Sequence, residues 1–206
     1  MVVMSNFVVL EGGDGSGTTT QLSILNRRWT IAPPLWTTAE PTNGPLGRLI
    51  RQVLRGAVRL CPQTMAHLFA ADRAEHLFAA GGIVEHCQHG ELVVCDRYIF
   101  SSLVYQGIAC PTELIERLNA DFPLPELLVF FDLDPDYALK RIKGRPVQEL
   151  YEEPALQRLV YNRYRDLLPV YRDLGCRVEI VDAHGSPDEI AQALWAVLQK
   201  LPIMET

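Results

Sequence analysis

At 206 residues, 48% apolar and 21% charged, the chain has the size and composition of one globular domain with a substantial core. A formal net charge of −6 excludes a general nucleic-acid binder, so any polyanion must meet a local basic cluster. No apolar run reaches bilayer-spanning length and the MVVMSNF start lacks a basic region and a cleavage site, so no membrane partner and a cytoplasmic location are expected.

The first element is an apolar run, Phe7 to Leu10, that reads as a buried parallel strand. Four glycines follow (Gly12, Gly13, Gly15, Gly17), with Ser16 among them, and then Thr18, Thr19 and Thr20. Strand, glycine loop and helix start together form an anion site, because backbone N–H groups close on a phosphate and the helix dipole adds partial positive charge. Gly12 and Gly17 have the spacing of the triphosphate loop, and Thr19 falls where that motif places its magnesium-binding hydroxyl. The motif's lysine is missing; Thr18 takes its position. The chain's three lysines, Lys140, Lys143 and Lys200, all lie far downstream.

A helix from Thr19 to Trp29 ends before Pro33-Pro34, and Leu35 to Thr38 reads as a second strand, closed by the turn-rich EPTNGP. The next helix has an apolar face of Leu46, Leu49, Ile50, Val53 and Leu54, while Arg48, Arg51 and Arg55 read either as a solvated face or as cations offered to a second anion. Pro62 opens a long helical pattern reaching about His89, with a bend expected at Gly81-Gly82. It sets Phe69 and Arg73 one turn apart on one face, a pair that taken alone is more often core plus surface than a binding site. Leu92 to Cys95 is a third strand ending in Asp96-Arg97-Tyr98. A carboxylate there can serve magnesium or cap the next helix.

Ser101 to Gly107 reads as a short helical or irregular polar segment, and Leu127 to Leu133 as the fourth strand. A helix from Asp136 to Lys143 breaks at Gly144-Arg145-Pro146; a long helix (Ala155 to Leu174), a strand (Val178 to Val181) and a last helix (Pro187 to Leu201) follow. Five strands alternating with helices predict an α/β fold with a parallel sheet covered on both faces. The five cysteines show no metal-ligand spacing and read as reduced and mostly buried.

Several blocks then agree: EGGDGSGTTTQ from Glu11, EPTNGPLGRLIRQVL from Glu40, LFAADRAEH from Leu68, DRYIFSSLVYQG from Asp96, PELLVFFDLDPDYALKR from Pro125, and LYEE around Glu152. They resemble thymidylate kinases, nucleoside monophosphate kinases of the phosphate-loop superfamily, from Phe7 to about Leu198. The resemblance implies one kinase domain over residues 1–206, a five-stranded parallel sheet flanked by helices, a short lid at about 143–152, and a homodimer. It implies ATP-dependent phosphorylation of dTMP, with the loop from Gly12 to Thr20 on the ATP phosphates and Thr19 and Asp96 on Mg2+. Asp14 would lie near the acceptor sugar and phosphate, and Arg51 and Arg97 would grip that phosphate. Phe69 would stack on thymine and Arg73 bond to it, with Ser101 and Gln106 assisting and Ser102 and Tyr105 crowding a ribose 2′-hydroxyl. Arg141 would pack near adenine, and Arg145 would swing over the transferring phosphate.

Two positions depart from the family pattern: Thr18, and Ala39 in place of an arginine before Glu40-Pro41. Besides an active dTMP kinase, two readings stay open, a kinase for another small deoxynucleoside monophosphate and a nucleotide-binding relic. A relic would also lose its acceptor and lid residues, whereas Asp14, Thr19, Arg51, Asp96, Arg97 and Arg145 are all present.

Overall fold

The computed structural model describes residues 2–143 and 153–205. Strand β1 (Val3–Glu11) is the centre of a five-stranded parallel sheet with β2 (Leu35–Ala39), β3 (Leu92–Asp96), β4 (Leu124–Asp132) and β5 (Arg177–Asp182), in the order β2-β3-β1-β4-β5. Side-chain alternation sorts the core into two layers: on β1, Phe7 and Val9 face one layer and Val8 and Leu10 the other, all fully buried. Burial on both faces is why these strands read as unbroken apolar runs.

On the Val8 side, α1 (Thr18–Arg28), α6 (Pro135–Ile142) and α8 (Pro187–Leu198) bury Leu25, Ala138 and Leu194. On the Phe7 side, α3 (Pro62–Phe78), α4 (Ile83–Gln88), α5 (Thr112–Asn119) and α7 (Pro154–Asp173) bury Leu77, Ile83, Ile115 and Val160. Helix α2 (Pro45–Leu54) packs on the start of α3 through Ile50, Val53 and Met65.

After β1 the chain crosses to the face carrying α1. After β3 it crosses to the opposite face through the helical segment 99–109, whose Ile99, Phe100 and Leu103 join the other layer. The loops diverge and open a crevice at the carboxyl ends of β1 and β3, where open α/β sheets bind ligands. Pairing sets Ala39, Asp96 and Leu10 in one row, so the residues that follow, Glu40, Arg97 and Glu11, fall at the crevice end of the sheet, Glu11 buried beneath it.

The sheet and its two helical layers agree with the expected fold class. The helix expected from Pro62 to about His89 is two helices, not one bent one. Gly81 adopts φ +71°, and a Cβ at Gly82 would stand 2.8 Å from three carbonyl oxygens of the preceding turn, so the chain breaks there. The last helix stops at Leu198 rather than Leu201, followed by a 3-10 turn (Pro202–Glu205). Helix α5 was not expected, and the 99–109 segment is helical throughout, with a π-helical stretch (Ser102–Gln106) at its middle.

Candidate active site

Loop 12–17 joins β1 to α1. Gly15 (φ +87°) and Gly17 (φ +96°) take left-handed conformations, and a Cβ at Gly15 would also stand 2.8 Å from the Ala138 carbonyl oxygen of α6. The Ser16 N–H donates to the Gly13 carbonyl at 3.1 Å and closes the turn. The N–H groups of the first turn of α1 have no intrahelical acceptors, which makes the cradle an anion receptor. Thr18 is 5% exposed and brings no charge to it. The Thr19 hydroxyl donates to Asp96 Oδ2 at 2.5 Å, while Asp96 Oδ1 is buried without a hydrogen-bond partner. A buried carboxylate oxygen without a donor, beside a threonine hydroxyl, suits Mg2+, which these two residues would hold. Among the described residues no group of three or more His, Cys, Asp or Glu could hold a metal, so the pair would act together with a nucleotide.

Arg97 follows β3 with φ +71°, a left-handed turn costing a non-glycine residue about 1–2 kcal/mol. It folds the guanidinium back over the loop, where it donates to the Gly12 carbonyl (3.2 Å) and Ser101 Oγ (3.2 Å) and pairs with Asp14 (2.8 Å). Burial opposes this charge, but the Asp14 carboxylate beside it favours it, and Arg97 stays protonated. Asp14 is held on its other side by Gln157, at the start of α7. Gln157 Nε2 donates to Asp14 Oδ2 at 2.7 Å, and its Oε1 accepts the Asp14 N–H at 3.3 Å. Glu11, fully buried at the end of β1, accepts from the N–H groups of Tyr98 (2.8 Å) and Ser101 (3.2 Å) and from the hydroxyls of Ser101 and Tyr164 (both 2.7 Å). Burial pushes its carboxyl up; Arg97 and these donors pull it part of the way back.

A cavity of about 230 Å3 opens beside these groups. Phe69 and Arg73 of α3 form one wall, Arg51 of α2 and the Glu40-Pro41 turn a second, and Arg97, Ser101, Tyr105 and Gln106 a third; Asp14, Thr19 and Asp96 join it to the loop. Arg51 donates to the carbonyls of Pro41 and Thr42. Gln106 is buried, and its Oε1 has no partner. A second cavity, of about 320 Å3 between α1 and α8, has Trp29 and Trp195 in its walls and no residue of loop 12–17.

The family model described as thymidylate kinase matches residues 10–194, which include the loop and every wall of the smaller cavity. The chain belongs to the thymidylate kinase family. A protein of Treponema pallidum (strain Nichols) named "Putative thymidylate kinase" is 42% identical over 183 residues, 88% of each chain. One of the same name from Aeropyrum pernix is 40% identical over 175 residues, 83% of this chain and 82% of that one. The solved structure of thymidylate kinase from Candida albicans superposes with a TM-score of 0.79 at 26% identity, covering 98% of this chain and 94% of that one.

Of the residues this thymidylate kinase family member was expected to use, the crevice gathers Asp14, Arg51, Phe69, Arg73, Asp96, Arg97, Ser101, Tyr105 and Gln106 around one cavity, next to the loop from Gly12 to Thr20. Ser102 is not in that wall; it is buried behind it, its hydroxyl accepting from Arg73 Nη2 at 3.1 Å, so it meets a ligand only through Arg73. Arg141 stands apart, over the Tyr137 ring (5.0 Å), donating to the carbonyls of His184 and Gly185. Arg145 and the LYEE block up to Glu152 lie outside the described residues. Glu11, Glu40, Gln157 and Tyr164 were missed, because each acts through partners distant in sequence. The signals present were a glutamate ending a buried strand and a glutamine in the first turn of a helix.

Proposed function

We propose that the chain transfers the γ-phosphoryl group of ATP to dTMP, giving dTDP and ADP. What carries this reading is the joining of two sites by Asp14 and Arg97. One is a glycine cradle at a helix N-terminus for the donor phosphates; the other is a cavity with an aromatic wall and three arginines for a nucleoside monophosphate. An oxygen of the acceptor phosphate forms the new bond to the γ-phosphorus as the bond to the β–γ bridging oxygen breaks, and the electron pair leaves with ADP. Arg97 and Arg51 hold the acceptor phosphate in line, Phe69 stacks on the base, and Arg73 with Gln106 reads its edge. Ser101 and Tyr105 border the sugar. Thr19 and Asp96 would hold Mg2+, which when bound would neutralise charge on the transferring phosphates. Arg141 supports adenine, and Arg145, which lies outside the described residues, supplies a planar cation in place of the missing loop lysine.

The chain works as one domain in the cytoplasm, in keeping with four buried free cysteines and with no described helix long and apolar enough to cross a membrane. A second copy covers the outward side of α3, where Phe78 is 59% exposed and Ala71 is also exposed. A monomer mass by light scattering at micromolar concentration would refute the dimer.

Purified protein with ATP, magnesium and dTMP is expected to form ADP and dTDP in equal amounts. Tight binding of both nucleotides without turnover would establish the relic instead.

A further inference from the structure

We infer that Asn119, the last residue of α5, is a positioning residue that sets pyrimidine choice by fixing the guanidinium of Arg73. This deepens the function proposed above and rests on it. Arg73 is 1% exposed yet reaches the acceptor cavity, and its fork is held from three sides. Its Nε and Nη2 lie 2.9 and 2.7 Å from Glu40 Oε2, and Nη2 also donates to Ser102. The guanidinium carbon lies over the rings of Tyr98 and Phe122, at 5.2 and 5.7 Å from their centres. Nη1 donates to Asn119 Oδ1.

A guanidinium has five N–H bonds in one plane and no acceptor. Glu40 and Ser102 occupy the Nε/Nη2 edge, and Asn119 takes one of the two Nη1 hydrogens. The remaining Nη1 hydrogen is left for a ligand. A single fixed donor accepts a carbonyl at the 4-position of a pyrimidine and rejects an amino group there, because two donors would meet. The amide of Asn119 cannot turn over to undo this. Its Nδ2 donates to the Ile115 carbonyl at 2.7 Å, so Oδ1 must face Arg73. Asn119 is 5% exposed, and water cannot stand in for it freely.

The test compares kcat/KM for dTMP and dCMP in the wild type, Asn119→Leu and Asn119→Asp, with KM for ATP and Tm measured alongside. Asn119→Leu fills the space but removes the acceptor, and is expected to cut the dTMP/dCMP ratio by about tenfold, the scale of one hydrogen bond to a charged group, mainly through KM for dTMP. KM for ATP stays unchanged. Asn119→Asp loses the bond to Ile115 and lowers Tm, but keeps the oxygen facing Arg73 and most of the selectivity. Should Asn119→Leu not fold, Asn119→Ser, whose hydroxyl is too short to reach Nη1, carries the same expectation. An unchanged ratio in a folded Leu or Ser variant, or an equal loss in Asn119→Asp, overturns the role of Asn119 while leaving the kinase reading intact. A wild type that never phosphorylates dTMP overturns the kinase reading itself and the inference with it.

Discussion

Asp14 divides its carboxylate between two partners, Oδ1 receiving Arg97 at 2.8 Å and Oδ2 receiving Gln157 at 2.7 Å. A carboxamide is the group that can donate to the second oxygen while accepting the Asp14 N–H, so the clamp depends on glutamine. Gln157→Glu would set two carboxylates at hydrogen-bond distance, with Arg97 already committed to the far oxygen. They would share a proton, which raises the pKa of the pair above the ordinary glutamate value near 4.3. The working form of the variant is the protonated one, because only it donates to Asp14. Turnover of Gln157→Glu should therefore fall roughly 10- to 100-fold at pH 8, as for a lost hydrogen bond to a charged group, and recover as pH falls. A variant-to-wild-type ratio that stays flat between about pH 6 and 8.5 would show that Gln157 does not hold Asp14 in the working enzyme. The sequence shows Gln157 as a glutamine in the first turn of a helix, but its partner is 143 residues away and no local pattern joins the two. Thr19 and Asp96 were legible because loop spacing and strand end fix them locally, whereas Asp14 came only with the family resemblance.

At the scale of elements, strands were legible because both their faces are buried, and long helices because their apolar stripes repeat. Helix α5 escaped because only Ile115 and Asn119 are fully buried in its eight residues, too few to set a period. The break at Gly81-Gly82 was read as a bend because a glycine pair does not state its φ angle; the left-handed Gly81 decides it. The start of α8 is a local device that the sequence could have shown: Ser186 and Glu189 form a reciprocal capping box, with the Ser186 N–H donating to Glu189 Oε2 at 2.8 Å. The cap also sets the preceding carbonyls of His184 and Gly185, which receive Arg141. Ser186→Ala should cost about 1 kcal/mol, lowering Tm by about 2–4 °C. It should also raise KM for ATP while leaving KM for dTMP alone. An unmoved KM for ATP would separate Arg141 from the donor nucleotide.

Across the whole molecule, the two layers on either side of the sheet leave one thiol outside. Cys61 is exposed at the start of α3, where hydrogen bonds from the Thr64 hydroxyl and N–H favour its thiolate and hold its pKa below the ordinary value. Burial does the reverse elsewhere. Cys87 and Cys176 are pushed up to about 12, and Cys95 and Cys110 are raised as well. The thiolate is the nucleophile, so at pH 8 a thiol of pKa 12 offers about one part in 10⁴ of reactive form even before access is counted. A chromogenic disulfide reagent should therefore titrate one equivalent within minutes in the native protein, and that rate should fall as the pH is lowered. The other four thiols should react only as fast as the chain opens, and all five at once in denaturant. Peptide mapping should place the fast label on Cys61. Two or more fast equivalents in the native state would mean that the α3–α5 side of the sheet opens far more readily than its buried Phe7, Val93 and Ile115 imply.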